Sequence, residues 1–252
     1  MEGLSSLVLG DFVTHASRTM MFAELSLLLE AVPAGSPPND YVQAVTDENV
    51  LLKAAASNRK KSLRHLRELY ALDEREVMFS VLRRLWEYDP PSRPLLAILT
   101  AMTRDGLLRA TAPVLWEAPV GDPVDAGMLS DAVGACFPDR LTENVRAKVG
   151  RNTASSWTQS GHLRGRVGKT RARSNISAGA VVYALLLGHL HGVRGLPLYD
   201  TVWARSLDAS GNEIDALAFS AAQRGWMEYR RMGEVAEFGF SKLLLPTGED
   251  RG

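Results

Sequence analysis

The chain has a single cysteine in 252 residues, no excess charge of either sign, and few aromatic side chains, 7% in all. A lone Cys136 cannot close an internal disulfide. Its setting, "DAVGACFP", is that of a small buried hydrophobe and not of a reactive thiol, and such sparing use of cysteine suits a reducing cytoplasm. Long hydrophobic runs are missing too. The longest, "ISAGAVVYALLLG" from Ile176 to Gly188, falls short of the roughly 20 residues that a membrane span takes, so a buried core helix in a soluble protein is expected. The opening stretch, "MEGLSSLVLGDFVTHASR", has no basic region ahead of its apolar run, and Asp11 interrupts that run. No secretory signal and no membrane partner are therefore expected, and the expected location is cytoplasmic.

Chemistry-bearing constellations are equally scarce. "EYDPPSRP" and "LYDTVWARSLD" hold carboxylates without the second acid, glycine loop or metal spacing that hydrolysis needs, and their expected roles are helix caps and salt bridges. His189 and His191 stand two apart on a helical stretch, so their rings diverge and read as structural histidines, not as a metal pair. His162 has the chemistry to sense phosphate, but the sequence offers it no partner. The aromatic residues Trp86, Tyr88, Tyr199, Trp203, Trp226 and Tyr229 read as core or interface material. The expectation is a protein that is not an enzyme, with no cofactor, no metal and no catalytic residue.

One stretch invites a different answer. "RGRVGKT" (164–170) ends like a nucleotide-binding loop, which requires Gly, four spacers and then Gly-Lys-Ser/Thr so that successive backbone N–H groups curl around phosphates. Counting back from Gly168 places the first glycine at position 163, which is Leu163; Gly161 and Gly165 are each two residues out of register. The ten residues before Gly161, "RNTASSWTQS", are polar and supply no buried strand to deliver such a loop. The motif is excluded, and the basic residues need another explanation.

That explanation starts from charge segregation. With 29 basic and 29 acidic residues the chain is neutral on average, yet from Asn144 to Asn175 there are eight basic residues and no acid: Arg146, Lys148, Arg151, Arg164, Arg166, Lys169, Arg171 and Arg173. A second cluster, "NRKKSLRHLR", supplies Arg59, Lys60, Lys61, Arg64 and Arg67, and the remainder of the chain carries a net charge of minus thirteen. Two basic segments on an acidic background predict a one-sided electrostatic surface, and phosphates are the partners that favour many cations with no acid between them. Arginine dominates the clusters, nine to four, and its planar fork suits phosphate and base-edge contact. Trp157, Thr158, Gln159 and Ser160 lie within the Asn144–Asn175 segment; the last three can add phosphate hydrogen bonds, whereas Trp157 reads as a core anchor.

Most of the chain reads as helix. Expected elements are Met21–Val32, a short helix over "DYVQAV" capped by Asn39, a long helix Ser57–Leu72 burying Leu63, Leu66 and Tyr70, and another over Asp73–Asp89. "SRPLLAILTAMTRDG" follows with Gly106 as its C-terminal cap, then helical pieces over "LLRATAPVLWEA" and "DPVDAGMLSDAVGACF". Strand signal is confined to "EVAEFGF", where a helix ending near Gly225 runs into a short hairpin. Three glycines, 161, 165 and 168, weigh against a continuous helix through the basic segment. The expected organisation is an N-terminal tail (1–18), one helical domain (19–246) whose division into two lobes, if any, falls near 119–126, and a C-terminal tail (247–252).

The order of "SRTMMFAELSLLLEAV", "SNRKKSLRHLREL", "WTQSGHLRGRVGKTRAR" and "GWMEYRRMGEVAEFGFSKL" resembles the BrxA family of BREX phage-defence systems, over about Ser17 to Leu245. The resemblance implies an all-α fold, a multi-helix bundle with a core similar to the antitermination factor NusB. It also implies a DNA-binding protein that works beside the methyltransferase and ATPase of a defence locus. The residues expected to neutralise phosphate are the thirteen cations named above, with little sequence preference. Two alternatives stay open: an adaptor docking an acidic protein partner, and an RNA-binding factor, which a NusB-like core suits equally.

Overall fold

A computed structural model describes residues 9–244; the expected C-terminal tail (247–252) and the first eight residues of the expected N-terminal tail (1–18) lie outside the described residues. The fold is mainly helical, with a short antiparallel hairpin near the C-terminal end. Its centre is the helix Ala178–Leu190, in which every side chain but that of His189 is buried. A helix apolar on all sides must be enclosed, and this one packs against the helices Val77–Tyr88, Arg93–Arg104, Val202–Arg205 and Gly211–Gln223. Its entry is fixed by Asp89, whose Oδ2 accepts a hydrogen bond from the Gly179 backbone N–H at 2.7 Å. A Cβ at residue 179 would lie 2.8 Å from that same oxygen, which is why glycine stands there. Asp89 is thus a helix cap, as expected of the "EYDPPSRP" carboxylate.

Numbered along the chain, the elements are α1 (Phe22–Ala31), α2 (Pro38–Thr46), α3 (Ala56–Tyr70), α4 (Val77–Tyr88) and α5 (Arg93–Arg104). Two short helices, α6 (Gly106–Arg109) and α7 (Ala112–Glu117), lead to α8 (Ala126–Cys136) and α9 (Glu143–Gln159). A small hairpin, β1 (Leu163–Arg164) and β2 (Thr170–Arg171), precedes the central helix α10 (Ala178–Leu190), then α11 (Val202–Arg205) and α12 (Gly211–Gln223). The second hairpin, β3 (Glu228–Met232) and β4 (Val235–Gly239), closes onto α13 (Ser241–Leu244). No helix among the described residues is long and apolar enough to cross a membrane.

Three local expectations, at Asn39, Gly106 and Cys136, are corrected, while the break in the basic segment falls where its glycines led us to expect. Pro38 opens α2 at its first turn, where its missing N–H costs nothing, so Asn39 lies inside the helix and does not cap it. Gly106 does not end α5; it is the first residue of α6, and Asp105 links the two helices by accepting from the Leu107 and Leu108 N–H groups. Cys136 is exposed, because it falls on the outer face of α8 at its last turn, where only Leu129 and Val133 turn inward. The basic segment is no continuous helix: α9 stops at Gln159, and the glycines lie in and before the β1–β2 hairpin. His189 and His191 set their rings edge-on against different aromatics, Phe240 and Trp203.

The N-terminal boundary also falls earlier than residue 19. Thr14 and His15 form a buried 3-10 turn, Thr14–Ala16, wedged between α3 and α9.

Candidate nucleic-acid interface

Helix α3 buries Leu63, Leu66, Leu69 and Tyr70 and leaves Lys60, Lys61, Arg64 and Arg67 in solvent. The split follows from the 3.6-residue period, which puts 60, 64 and 67 on one stripe beside the buried one. An open groove of about 320 Å³ runs along this stripe, lined by Phe12, Lys60, Leu63, Arg64, Arg67 and Glu68. Among the described residues Arg64 is the one member of the stripe with an ion pair, its Nε 3.5 Å from Glu68 Oε1. Arg59 turns away, half-buried, and donates to the Lys53 carbonyl.

On α9 the exposed or half-exposed positions Asn144, Lys148, Arg151, Ser155 and Thr158 follow one another at intervals of three and four, so they share a face. Arg146 is on another side, its guanidinium packed over Gly134 of α8 so closely that a Cβ there would come within 2.5 Å of Nη1. The α9 stripe ends at the β1–β2 hairpin. Lys169 Nζ donates to Thr158 Oγ1 at 2.8 Å and to the Gly165 carbonyl at 3.2 Å, pinning the hairpin loop to the helix. Between them lies a groove of about 590 Å³ lined in part by Arg151, Ser155, Thr158, Arg166 and Lys169.

What joins the two basic elements is the N-terminal turn. Thr14 Oγ1 donates to Glu68 of α3 at 2.8 Å, and Asn152 of α9 donates to the His15 carbonyl at 2.8 Å. His15 is held by both ring nitrogens, 2.9 Å from Asp105 Oδ2 and 2.9 Å from Ser156 Oγ. A third groove, about 380 Å³, opens between α3 and α9 over this turn, with Ser17, Arg18, Thr19, Asn58, Ser62 and Asn152 among its lining residues. Sequence reasoning missed Arg18: it stands alone in "HASRTM", and only the fold brings it between the two clusters.

Ser156, His15 and Asp105 have the connectivity of a nucleophile triad, but all three are fully buried. Ser156 Oγ also accepts from the Met20 N–H at 2.8 Å and donates to the Asn152 carbonyl at 3.0 Å. Its hydrogen-bonding positions are occupied by the protein itself, so no substrate carbonyl can reach it, and the network is a structural tie.

Two of the expected phosphate contacts are corrected. Arg171 is buried at the inward position of β2; its guanidinium pairs with Asp208 at 2.7 Å and donates to the carbonyls of Leu115, His162 and Ala172. It consolidates the hairpin base and is closed to ligands. Arg173, although exposed, pairs with Glu213 at 2.5 Å and donates to the Asp208 carbonyl. Both lie in an acid-free stretch of sequence, but their partners come from the α11–α12 region. Lys60, Lys61, Arg67, Lys148, Arg151, Arg164 and Arg166 are exposed and carry no ion pair among the described residues.

No family model, no curated protein and no solved structure matches this chain. The site therefore stands on its own geometry.

His162 is fully enclosed beneath the hairpin, and the fold supplies the partners that the sequence did not. Ser160 Oγ lies 2.8 Å from Nδ1 and the Ser206 carbonyl 2.9 Å from Nε2, an arrangement that suits the neutral ring with its proton on Nε2. Burial pulls its pKa from the ordinary 6.5 down to about 4; the hydrogen bond to Ser206 opposes this, Arg171 adds to it, and Asp208 opposes it. The unfolded chain thus binds a proton that the folded chain refuses. Stability from this group is complete above about pH 6.5 and declines as pH falls towards 4, by on the order of 3 kcal/mol. Melting temperatures of the parent protein should drop across that window, and a His162→Phe variant, less stable at pH 7, should show a flatter profile. An unchanged slope in the variant would refute the assignment.

Proposed function

We propose that the protein is a non-enzymatic DNA-binding component of a BREX-type phage-defence system, and that it grips duplex DNA by its phosphates. The observation that carries this reading is that open grooves along α3, over residues 17–19 and beside α9 have Lys60, Arg64, Arg67, Arg18, Arg151 and Arg166 on their walls, with Glu24 and Glu68 paired to neighbouring cations. Such a row of cations neutralises a chain of phosphates and releases counterions, and it carries no sequence code of its own. The assignment to phage defence rests on the resemblance of the sequence to the BrxA family, and a methyltransferase and a large ATPase encoded alongside would support it.

The direct test is fluorescence anisotropy with an arbitrary 20-base-pair duplex over a salt series. If about five phosphates are engaged, log affinity should fall against log salt with a slope of about −4 to −5. A flat response, or no binding at low salt, overturns the proposal; tighter binding of a single-stranded or duplex RNA of the same length replaces DNA by RNA. The same preparation should bind neither ATP nor GTP, with or without magnesium, because Lys169 is tied to Thr158 and Gly165 in a hairpin and does not follow a buried strand.

A further inference from the structure

The β1–β2 hairpin carries more than charge. Val167 at its tip is 94% exposed, the most of any large hydrophobic side chain among the described residues. It follows Arg166, and Arg164 ends β1 just before the loop; both side chains are exposed and carry no ion pair among the described residues. We infer that this loop is a minor-groove wedge: Val167 inserts between base pairs of duplex DNA while Arg164 and Arg166 lie along the groove floor. The inference rests on the DNA-binding reading above and specifies its mode.

Shape supports it first. Gly165 has φ +105°, and a Cβ there would sit 2.1 Å from the Gly168 carbonyl oxygen, so the loop is pinched to the width of two glycine backbones. Only a tip this slender fits a groove about 6 Å wide, whereas most secondary structure is restricted to the major groove. Chemistry supports it next. An arginine in a narrow minor groove meets concentrated negative potential, and an apolar side chain beside it can unstack a base step and kink the duplex. Val and Gly at the tip offer no donor or acceptor for the base-edge code of the major groove.

Preorganisation supports it last. Lys169 braces the loop from within, Arg171 anchors its base, and residues 121–124 add hydrogen bonds along the outer edge of β2: Gly121 N–H to the Arg171 carbonyl, Arg171 N–H to the Asp122 carbonyl and Val124 N–H to the Lys169 carbonyl. The acid that lines this groove, Asp125, caps α8 through the Met128 N–H at 2.9 Å. A loop already held in shape loses little freedom on binding.

The test uses an A·T-rich duplex carrying 2-aminopurine at several steps, with netropsin as a competitor that occupies the minor groove. The parent protein should raise the 2-aminopurine signal, and netropsin should abolish that rise. Val167→Ser, whose exposed position leaves the melting temperature unchanged, should bind with the same salt slope and an affinity within about 10-fold, yet give no rise. Arg166→Ala should lower the slope by about 1. Duplex binding with no signal change in the parent, a full rise with Val167→Ser, or indifference to netropsin would each overturn the wedge while leaving phosphate binding intact. Absence of any duplex binding would overturn the underlying reading and the wedge with it.

Discussion

Replacing Lys60, Arg64 and Arg67 by Glu should weaken duplex DNA binding by about 100-fold or more near physiological salt, and so should replacing Arg151, Arg164 and Arg166. Each reversal removes a cationic contact with DNA and places a like charge against the polyanion. The salt slope should fall by about 2 in each triple variant, since each lost contact contributes about 0.9 and the six cations share about five phosphates. The six positions are exposed, so both proteins should melt close to the parent temperature. If α3 and the α9–hairpin stripe form one track, the combined variant should lose less than the sum of the two, because a duplex that has lost one end already engages the other poorly. Arg171 is deliberately absent from the second set. A glutamate there would face the carbonyls that now accept from its guanidinium, and the resulting unfolding would imitate a binding defect. A folded triple variant with the parent's affinity across low and moderate salt would refute the proposed interface.

The second large effect is on stability. Asp105→Ala should cost about 3–5 kcal/mol, because one buried carboxylate satisfies four groups at once. Its Oδ2 accepts from the His15 backbone N–H and lies 2.9 Å from the His15 ring; its Oδ1 accepts from the Leu107 and Leu108 N–H groups at 2.9 and 3.3 Å. For a chain of this length, that loss lowers the melting temperature by roughly 10 °C. Burial alone would raise the Asp105 pKa, but the charge of His15 and its hydrogen bonds outweigh it and hold the carboxyl below its ordinary value. The folded pKa is therefore the lower one. Its stabilisation is complete above the unfolded value of about 4 and is lost as pH falls through the folded value, so the variant should lack this part of the acid limb. A cost below about 1 kcal/mol by urea titration would mean that the network does not hold the turn.

The sequence made α3, α10 and the C-terminal hairpin readable because each has a local signature: a buried stripe at helical spacing, an apolar run, or a helix stop followed by alternating residues. The turn at Thr14–Ala16 has none. His15 finds its partners 90 and 141 residues away, so neighbouring sequence carries no trace of them and the segment reads as a tail. The β1–β2 hairpin was equally hidden, since two-residue strands are too short to show alternation. Composition gathered the cations but could not sort them. Arg164 and Arg171 have the same charge, and only the hairpin register decides that one faces solvent and the other the protein interior.

The tie between His15, Asp105 and Ser156 also sets an order of events during synthesis. Chains emerge N-terminus first, and contacts distant in sequence wait for their later member. The residues ahead of α1 meet Glu68 of α3 and then Asp105 as those emerge, but their ties to Asn152 and Ser156 form only after α9 has been translated. Until then α3 exposes its cations beside a gap where Arg18 will lie. If the proposed function holds, a nascent chain carries an incomplete binding face until α9 has docked.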